Sequence, residues 1–253
     1  MNASAVGLHF DPRREEAELR EYLGPAYDRS RLERYEQQLE QEFAECGDEA
    51  AFYHGSEGYL YNLTAFAMTA TKLPYLELLV RAVAPGARVL DYGCGIGSDG
   101  LALLEAGYRV EFAEFDNPSA AYLRWRLRRR GVEAPIHDLD RGVPAGYDAA
   151  YAFDVIEHVD DPFALLGELE TRADLVLVNL LEPEPGETAL HRELPVRALL
   201  GRAVARGVVG YRLLHGRSHV VAYASEGEVG IGGLIAGWGR VAVEHLRARA
   251  RIS

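Results

Sequence analysis

Apolar residues recur at helical spacing from the start of the chain. Leu19, Tyr22 and Leu23 fall at i, i+3 and i+4, and Leu32, Tyr35 and Leu39 form a second stripe. Residues 11–50 therefore read as charged amphipathic helices, broken at Gly24-Pro25 and closed at Cys46-Gly47-Asp48. An aromatic, weakly charged segment follows, AAFYHGSEGYLYNLTAFAMTA, and then a third helix over Pro74–Val83.

From residue 87 the pattern changes to short apolar runs alternating with helical ones. ARVLDYG, YRVEFAEF, VEAPIHD, YDAAYAFD and ADLVLVNLL read as five strands. SDGLALLEAG, the stretch from Asn117-Pro118 to Arg130, and PFALLGELE read as the helices between them, with Gly107 and Gly131 as stops. Such alternation implies a parallel sheet with helices on both faces. After a helix at Val196–Arg206 the alternation ends. GYRLLHG and RSHVVAYAS are joined only by a tight turn at Gly216, too short to connect parallel neighbours, so they form an antiparallel hairpin. EGEVGIGGLIAGWGR is Gly-rich and carries no clear period; a basic helix, VAVEHLRARARIS, ends the chain.

Composition narrows the function classes. The 253 residues are 48% hydrophobic and 26% charged, values of a folded soluble globule. A net charge of -12 opposes a nucleic-acid or anionic-membrane surface. Cys46 and Cys94 are too few for a disulfide framework or a four-thiolate zinc site. No apolar run reaches the ~18 residues of a membrane helix, and the first residues lack the apolar core of a secretory signal. The expectation is a cytoplasmic protein whose sequons at Asn2 and Asn62 stay unmodified. Among 27 basic residues Lys72 is the one lysine. The arginines Arg124, Arg126 and Arg128–Arg130 read as a solvated helix face.

Candidate chemistry centres on Val89-Leu90-Asp91-Tyr92-Gly93-Cys94-Gly95-Ile96-Gly97, a strand-to-helix turn where glycines admit a ligand to the backbone. Gly95-Ile96-Gly97-Ser98-Asp99-Gly100 fits the dinucleotide pattern. Asp91 with Gly93, Gly95 and Gly97 fits a nucleoside-binding loop instead. Asp91 at the strand mouth suits a bound ammonium and would repel a pyrophosphate. Glu114, 23 residues on at the end of the second strand, can accept two ribose hydroxyls, which suits either cofactor. The antiparallel hairpin is foreign to a dinucleotide fold, and it decides the matter.

Residues 89–225 resemble the class I S-adenosylmethionine-dependent methyltransferases, and the EHV element at Glu157-His158-Val159 is similar to that of quinone-biosynthesis O-methyltransferases. The resemblance implies a Rossmann-like α/β fold with a seven-stranded sheet and a reversed final strand. It implies S-adenosylmethionine as cofactor, with Asp91, Gly93, Cys94, Gly95 and Gly97 as the methionine-side loop. Glu114 would hold the ribose, Phe115 would pack on the adenine, and Asp138 and Leu139 would contact the adenine. Lys72 would pair with the cofactor carboxylate. Phe153 and Asp154 open the segment beside the transferring methyl. The family's Pro-Gly-Gly turn before the fifth strand is replaced by Glu170-Thr171-Arg172.

For a hydroxyl acceptor a base is needed, and His158 and His191 are the candidates, with Asp154 orienting the acceptor. His191 lies in an acidic loop, EPEPGETALHREL, suited to cover a pocket. Tyr53, His54, Tyr59, Tyr61 and Phe66 are divided between packing and an acceptor pocket. No metal is expected: Asp154 is one acid of the catechol-type set, but Asn179-Leu180 does not complete it. The expected organisation is a helical lid over residues 1–84, the core over 85–225 and an extension over 226–253. The expected function is methyl transfer to a small-molecule acceptor in biosynthesis, at oxygen in preference to nitrogen or carbon. N-methylation of an amine, sugar or peptide amine, and a non-catalytic cofactor-binding subunit, are the alternatives. A homodimer stays open.

Overall fold

The computed structural model describes residues 7–182, 188 and 190–252. Among the described residues six α-helices come first: α1 (Pro12–Leu23), α2 (Arg29–Glu33), α3 (Tyr35–Cys46), α4 (Glu49–Gly55), α5 (Gly58–Thr69) and α6 (Leu73–Ala82) precede β1 (Arg88–Tyr92), and α7 (Ser98–Glu105) follows it. Then come β2 (Arg109–Glu114), α8 (Pro118–Arg130), β3 (Ile136–Asp138), β4 (Tyr147–Ala152), α9 (Pro162–Arg172) and β5 (Ala173–Leu181). The chain closes with α10 (Val196–Arg206), β6 (Val208–Leu214), β7 (Ser218–Ala224) and α11 (Ile231–Ile252). The strands make one seven-stranded sheet in the order β3-β2-β1-β4-β5-β7-β6. β5 pairs with β4 in parallel and with β7 antiparallel, so the reversed hairpin expected from the turn at Gly216 is present.

Contacts divide the chain into two compact units, Met1–Leu76 with Asp91–Val143, and Glu77–Leu90 with Pro144–Ser253. In the first, helix starts are set by side-chain caps. Asp11 accepts from the N–H of Arg13, Asp48 from that of Ala51, and Asn117 from that of Ala120 with Pro118 at the first turn. The aromatic, weakly charged segment is two helices, α4 and α5. Leu19, Leu32, Leu60, Tyr61 and Tyr122 form a buried cluster that holds α1, α2, α5 and α8 together. Tyr22, Tyr122 and Trp125 pack ring on ring beside it.

The arginines of α8 divide in a way that the helical pattern does not show. Arg128 and Arg129 are exposed, as expected. Arg126 is not on a solvated face: it is fully buried, and the Arg130 side chain nearly so. The cause is α1, whose Glu15 and Glu18 stand one turn apart and meet Arg126 and Arg130, also one turn apart.

In the second unit, β4 to β7 carry near-continuous apolar runs. Val176, Leu177, Val220, Val221 and Tyr223 are all inaccessible to solvent. From Ile231 onward the Gly-rich stretch is the first half of a long helix, α11. Glycine is required where α11 crosses α10, because a Cβ on Gly237 would lie 2.9 Å from Val204. α11 is joined to the hairpin by Tyr211, whose hydroxyl lies 2.7 Å from His219 Nδ1 and 3.1 Å from His245 Nε2. Burial holds the His219 imidazole below its usual pKa despite Glu182 at 2.9 Å. Among the described residues no helix is long and apolar enough to cross a membrane.

Candidate functional site

The glycine turn lies in the first unit, between β1 and α7. Gly93, Gly95 and Gly97 all have positive φ, at 67°, 53° and 74°, a conformation that L side chains rarely adopt. Gly100 plays a different part. It sits inside α7, where a Cβ would collide with Phe112 on β2 and approach Asp91 Oδ2 to 2.8 Å. The frame of alternating glycines shapes the turn, and the fourth glycine lets helix and strand approach.

Two carboxylates brace this turn. Asp91, at the end of β1 and only 3% exposed, accepts the N–H of Gly100 at 3.1 Å through Oδ2. Glu114, at the end of β2, accepts the N–H of Gly95 at 2.6 Å through Oε2. Its other oxygen takes the N–H of Phe115 at 2.9 Å and the Asn117 amide at 3.2 Å. Burial pushes the Glu114 carboxyl above the usual carboxylate range, against the opposing pull of these donors. Cys94 is held by its backbone, and burial raises its thiol well above the ordinary value, so it is no nucleophile at neutral pH.

The N-terminal helices lie on this turn. Leu63 of α5 sits over Gly95, where an added Cβ would be 2.5 Å from its methyl. Beside it a pocket of about 40 Å³ is lined by Leu63, Phe66, Lys72, Cys94, Ile96 and Asp99. Lys72 Nζ stands 4.0 Å from Asp99 Oδ2 in that pocket, so the lone lysine does reach the glycine turn. On the β2 side, Asn117 donates at 3.2 Å to the carbonyl of Tyr53 on α4. The His54 ring lies 4.6 Å from the ring of Phe115, held by the carbonyl of Ala50 at 2.8 Å and by Asp140 at 3.0 Å. The Asp140 hydrogen bond raises the His54 pKa.

Other residues singled out in the sequence fall as follows. Asp138 closes a turn, accepting from the N–H of Asp140 and pairing with Arg141 at 3.1 Å, while the N–H of Leu139 donates to the Glu114 carbonyl. Tyr53 and Tyr59 stack at 6.0 Å, and burial drives the Tyr59 phenol far up. Tyr61 is 2% exposed within the helical cluster, its hydroxyl accepting the N–H of Asp28 at 3.0 Å. Phe66 is at the rim of the small pocket.

In the second unit, Phe153 is buried against Tyr151. Asp154, with φ at 55°, exchanges two hydrogen bonds of 2.7 Å with Asn179. His158 and His191 come together, their rings 5.0 Å apart. The Leu190 carbonyl lies 2.9 Å from His158 Nδ1. A carbonyl only accepts, so Nδ1 carries the proton and Nε2 of the neutral ring keeps its lone pair. Glu157 joins them, a residue that sequence reasoning passed over: ligand-type atoms of Glu157, His158 and His191 lie within 4.8 Å of one another. Such a set suits a divalent ion as well as a base with its orienting acid. The signal for it was adjacency in the EHV element. Of the acidic loop expected to cover a pocket, residues 183–187 and 189 lie outside the described residues.

For S-adenosylmethionine the donor set fits, and the small pocket beside Gly95 must widen to take its methionine end. A turn of left-handed glycines, a carboxylate at each strand end and a nearby lysine match a cationic, ribose-bearing cofactor. A volume near 40 Å³ is far below the roughly 300 Å³ that begins the range of small-molecule sites. Leu63 fills the cradle above Gly95.

Known proteins resemble this chain at the level of domain, sequence and fold. A family model described as a methyltransferase domain matches residues 63–184. The ubiquinone biosynthesis O-methyltransferase of Xanthomonas campestris pv. campestris (strain B100) is 30% identical over 105 residues, 40% of this chain and 43% of that protein. The chain thus matches less than half the length of that relative. A mitomycin 7-O-methyltransferase structure aligns with a TM-score of 0.53 and 22% identity over 88% of this chain and 76% of the other. Magnesium protoporphyrin IX methyltransferase from Synechocystis PCC 6803, solved with bound cofactor, aligns at 0.50 and 18% identity over 88% and 98%. Both structures share the fold. Over residues 63–184 the chain is thus similar to methyltransferase domains, and its fold is that of class I methyltransferases.

Proposed function

We propose that the chain transfers a methyl group from S-adenosylmethionine to an oxygen of a small-molecule acceptor, as a step in biosynthesis. The observation that carries this reading is the Glu114 carboxylate bonded to the backbone of a three-glycine turn. Bound there, the cofactor supplies a sulfonium methyl already activated for attack, which leaves alignment as the main demand on the protein. Glu114 would accept the ribose hydroxyls, Phe115 and His54 would flank the adenine, and Asp138 and Leu139 would close that side. Lys72 would pair with the carboxylate, and Asp91 with the ammonium. Tyr53 and Tyr59 serve the acceptor, whereas Tyr61 serves the helical core.

His158 is the base. Its Nε2 takes the acceptor's proton while the Leu190 carbonyl holds Nδ1–H, and Glu157 and His191 steady the cation that forms. His158→Ala is expected to lower kcat by about a hundredfold, with cofactor affinity unchanged; His191→Ala is expected to lower it less. Both should be assayed at fixed pH with a chelator present. Near-normal turnover in both variants would remove the histidines from the mechanism, and loss of wild-type activity on chelation would make the cluster a metal site instead.

The helices over residues 1–84 act as the lid, and Leu63 is its point of closure on Gly95. Leu63→Ala lowers the cost of opening. Cofactor binding should tighten by about three- to tenfold with a faster association rate. Weaker binding would show that Leu63 is a contact and not a plug.

A further inference from the structure

We propose that Arg126 is a positioning residue for the cofactor turn, and that α1 acts on cofactor binding through it. The guanidinium is fully buried, and all its donors are engaged. Nε donates to Glu18 Oε2 at 2.8 Å, and Nη2 to both oxygens of Glu15 at 2.6 and 2.7 Å. Nη1 reaches the cofactor turn: it donates to the Ile96 carbonyl at 2.9 Å and to Ser98 Oγ at 2.8 Å. Ser98 Oγ in turn donates to Glu15 Oε2 at 2.8 Å. One cation therefore joins α1, α8 and the segment between Gly95 and the start of α7.

The contact with Ile96 falls on the peptide that controls the turn. Its carbonyl is held by Arg126, and the N–H on the same peptide plane, that of Gly97, donates to the Cys94 carbonyl at 2.9 Å. A peptide plane held at both edges cannot rotate. Arg126 thus does for the helix side of the turn what Glu114 does for the strand side. Glu15 and Glu18 supply the countercharge that lets a guanidinium stay out of water, and Arg130 shares Glu18 at 2.8 Å. Charge-assisted bonds of this density are stiff and directional. None of these four charged side chains needs to touch the cofactor for its removal to be felt there, since binding amides must be pre-set to bind tightly.

The inference rests on the cofactor reading given above, and two readouts keep their failures apart. Arg126→Lys keeps the charge but loses the fork; Glu15→Gln removes one charge at nearly constant shape; Ser98→Ala leaves every charge in place and so keeps the fold. S-adenosylmethionine affinity is measured by calorimetry, and amide exchange at residues 95–98 by mass spectrometry, in the absence of cofactor. The expected result for Arg126→Lys and Glu15→Gln is affinity weaker by about tenfold or more, with faster exchange at 95–98 and unchanged KM for the acceptor. Ser98→Ala should show the same changes to a smaller degree. A purely architectural Arg126 would lower Tm while leaving the affinity of the folded protein and the exchange at 95–98 as in wild type, and that result overturns the proposal. Failure of wild type to bind S-adenosylmethionine would overturn the cofactor reading alone, because the exchange comparison needs no ligand.

Discussion

Glu114→Ala is expected to lower affinity for S-adenosylmethionine by about a hundredfold or more while the protein stays folded. Two hydroxyls donating to an ionised carboxylate are worth roughly 1.5–3 kcal/mol each, and no other described carboxylate closes the end of β2 next to the glycine turn. The same substitution frees the N–H groups of Gly95 and Phe115. That costs about 1–3 kcal/mol for each donor left buried without a partner, a loss seen in Tm. Glu114→Gln keeps one acceptor and should fall between the two. Calorimetric titration of the three proteins is the check, and undiminished binding in Glu114→Ala would end the site assignment. The pH dependence follows from burial raising the Glu114 carboxyl. Because the folded-state pKa lies above the unfolded one, Glu114's contribution to stability is full in acid and is lost as pH rises through the raised pKa. Cofactor binding runs the other way. It needs the carboxylate, so affinity should weaken as pH falls through that pKa, with proton release on binding in the same range.

Gly97→Ala is expected to strain the turn and to destabilise the first unit strongly without unfolding it outright. At φ 74° an alanine pays the left-handed cost of about 1–2 kcal/mol. The new methyl also collides with both methyls of Leu123, a core residue of α8 with no exposed surface. Overpacking of that kind adds about 1–3 kcal/mol, for a total near 2–5 kcal/mol against the usual 5–15 kcal/mol of a domain. Thermal denaturation should show a fall of many degrees. A paired Gly97→Ala, Leu123→Ala protein should recover the steric part and not the backbone part. An unchanged Tm in Gly97→Ala would mean that the turn tolerates another conformation.

The turn and the hairpin could be read from sequence because each is enforced locally. Alternating glycines after a buried strand admit few conformations, and a three-residue link at 215–217 admits only antiparallel strands. Glu114 was legible by its distance from Asp91. Residues whose partners are distant in sequence were not legible. Arg126 looks like one more arginine on a polar helix face until Glu15 and Glu18, more than a hundred positions away, fold against it. His54 read as an acceptor-side residue, yet α4 delivers it to Phe115 and Asp140. Tyr61 shared the aromatic texture of Tyr53 and Tyr59, and only tertiary packing places it in the helical core. The Gly-rich stretch hid the start of α11 because glycine there usually marks a turn, whereas Gly237 answers to a close helix crossing.

Transfer of label tests the central claim most directly. The whole chain is incubated with S-adenosylmethionine carrying an isotopically labelled methyl group and with a small-molecule extract of the source cells. Products are then separated by mass. The expected result is label in a low-mass compound that gains one methyl group, in wild type and not in Glu114→Ala. Saturable cofactor binding by wild type with no labelled low-mass product, or label confined to protein or nucleic acid, would contradict it.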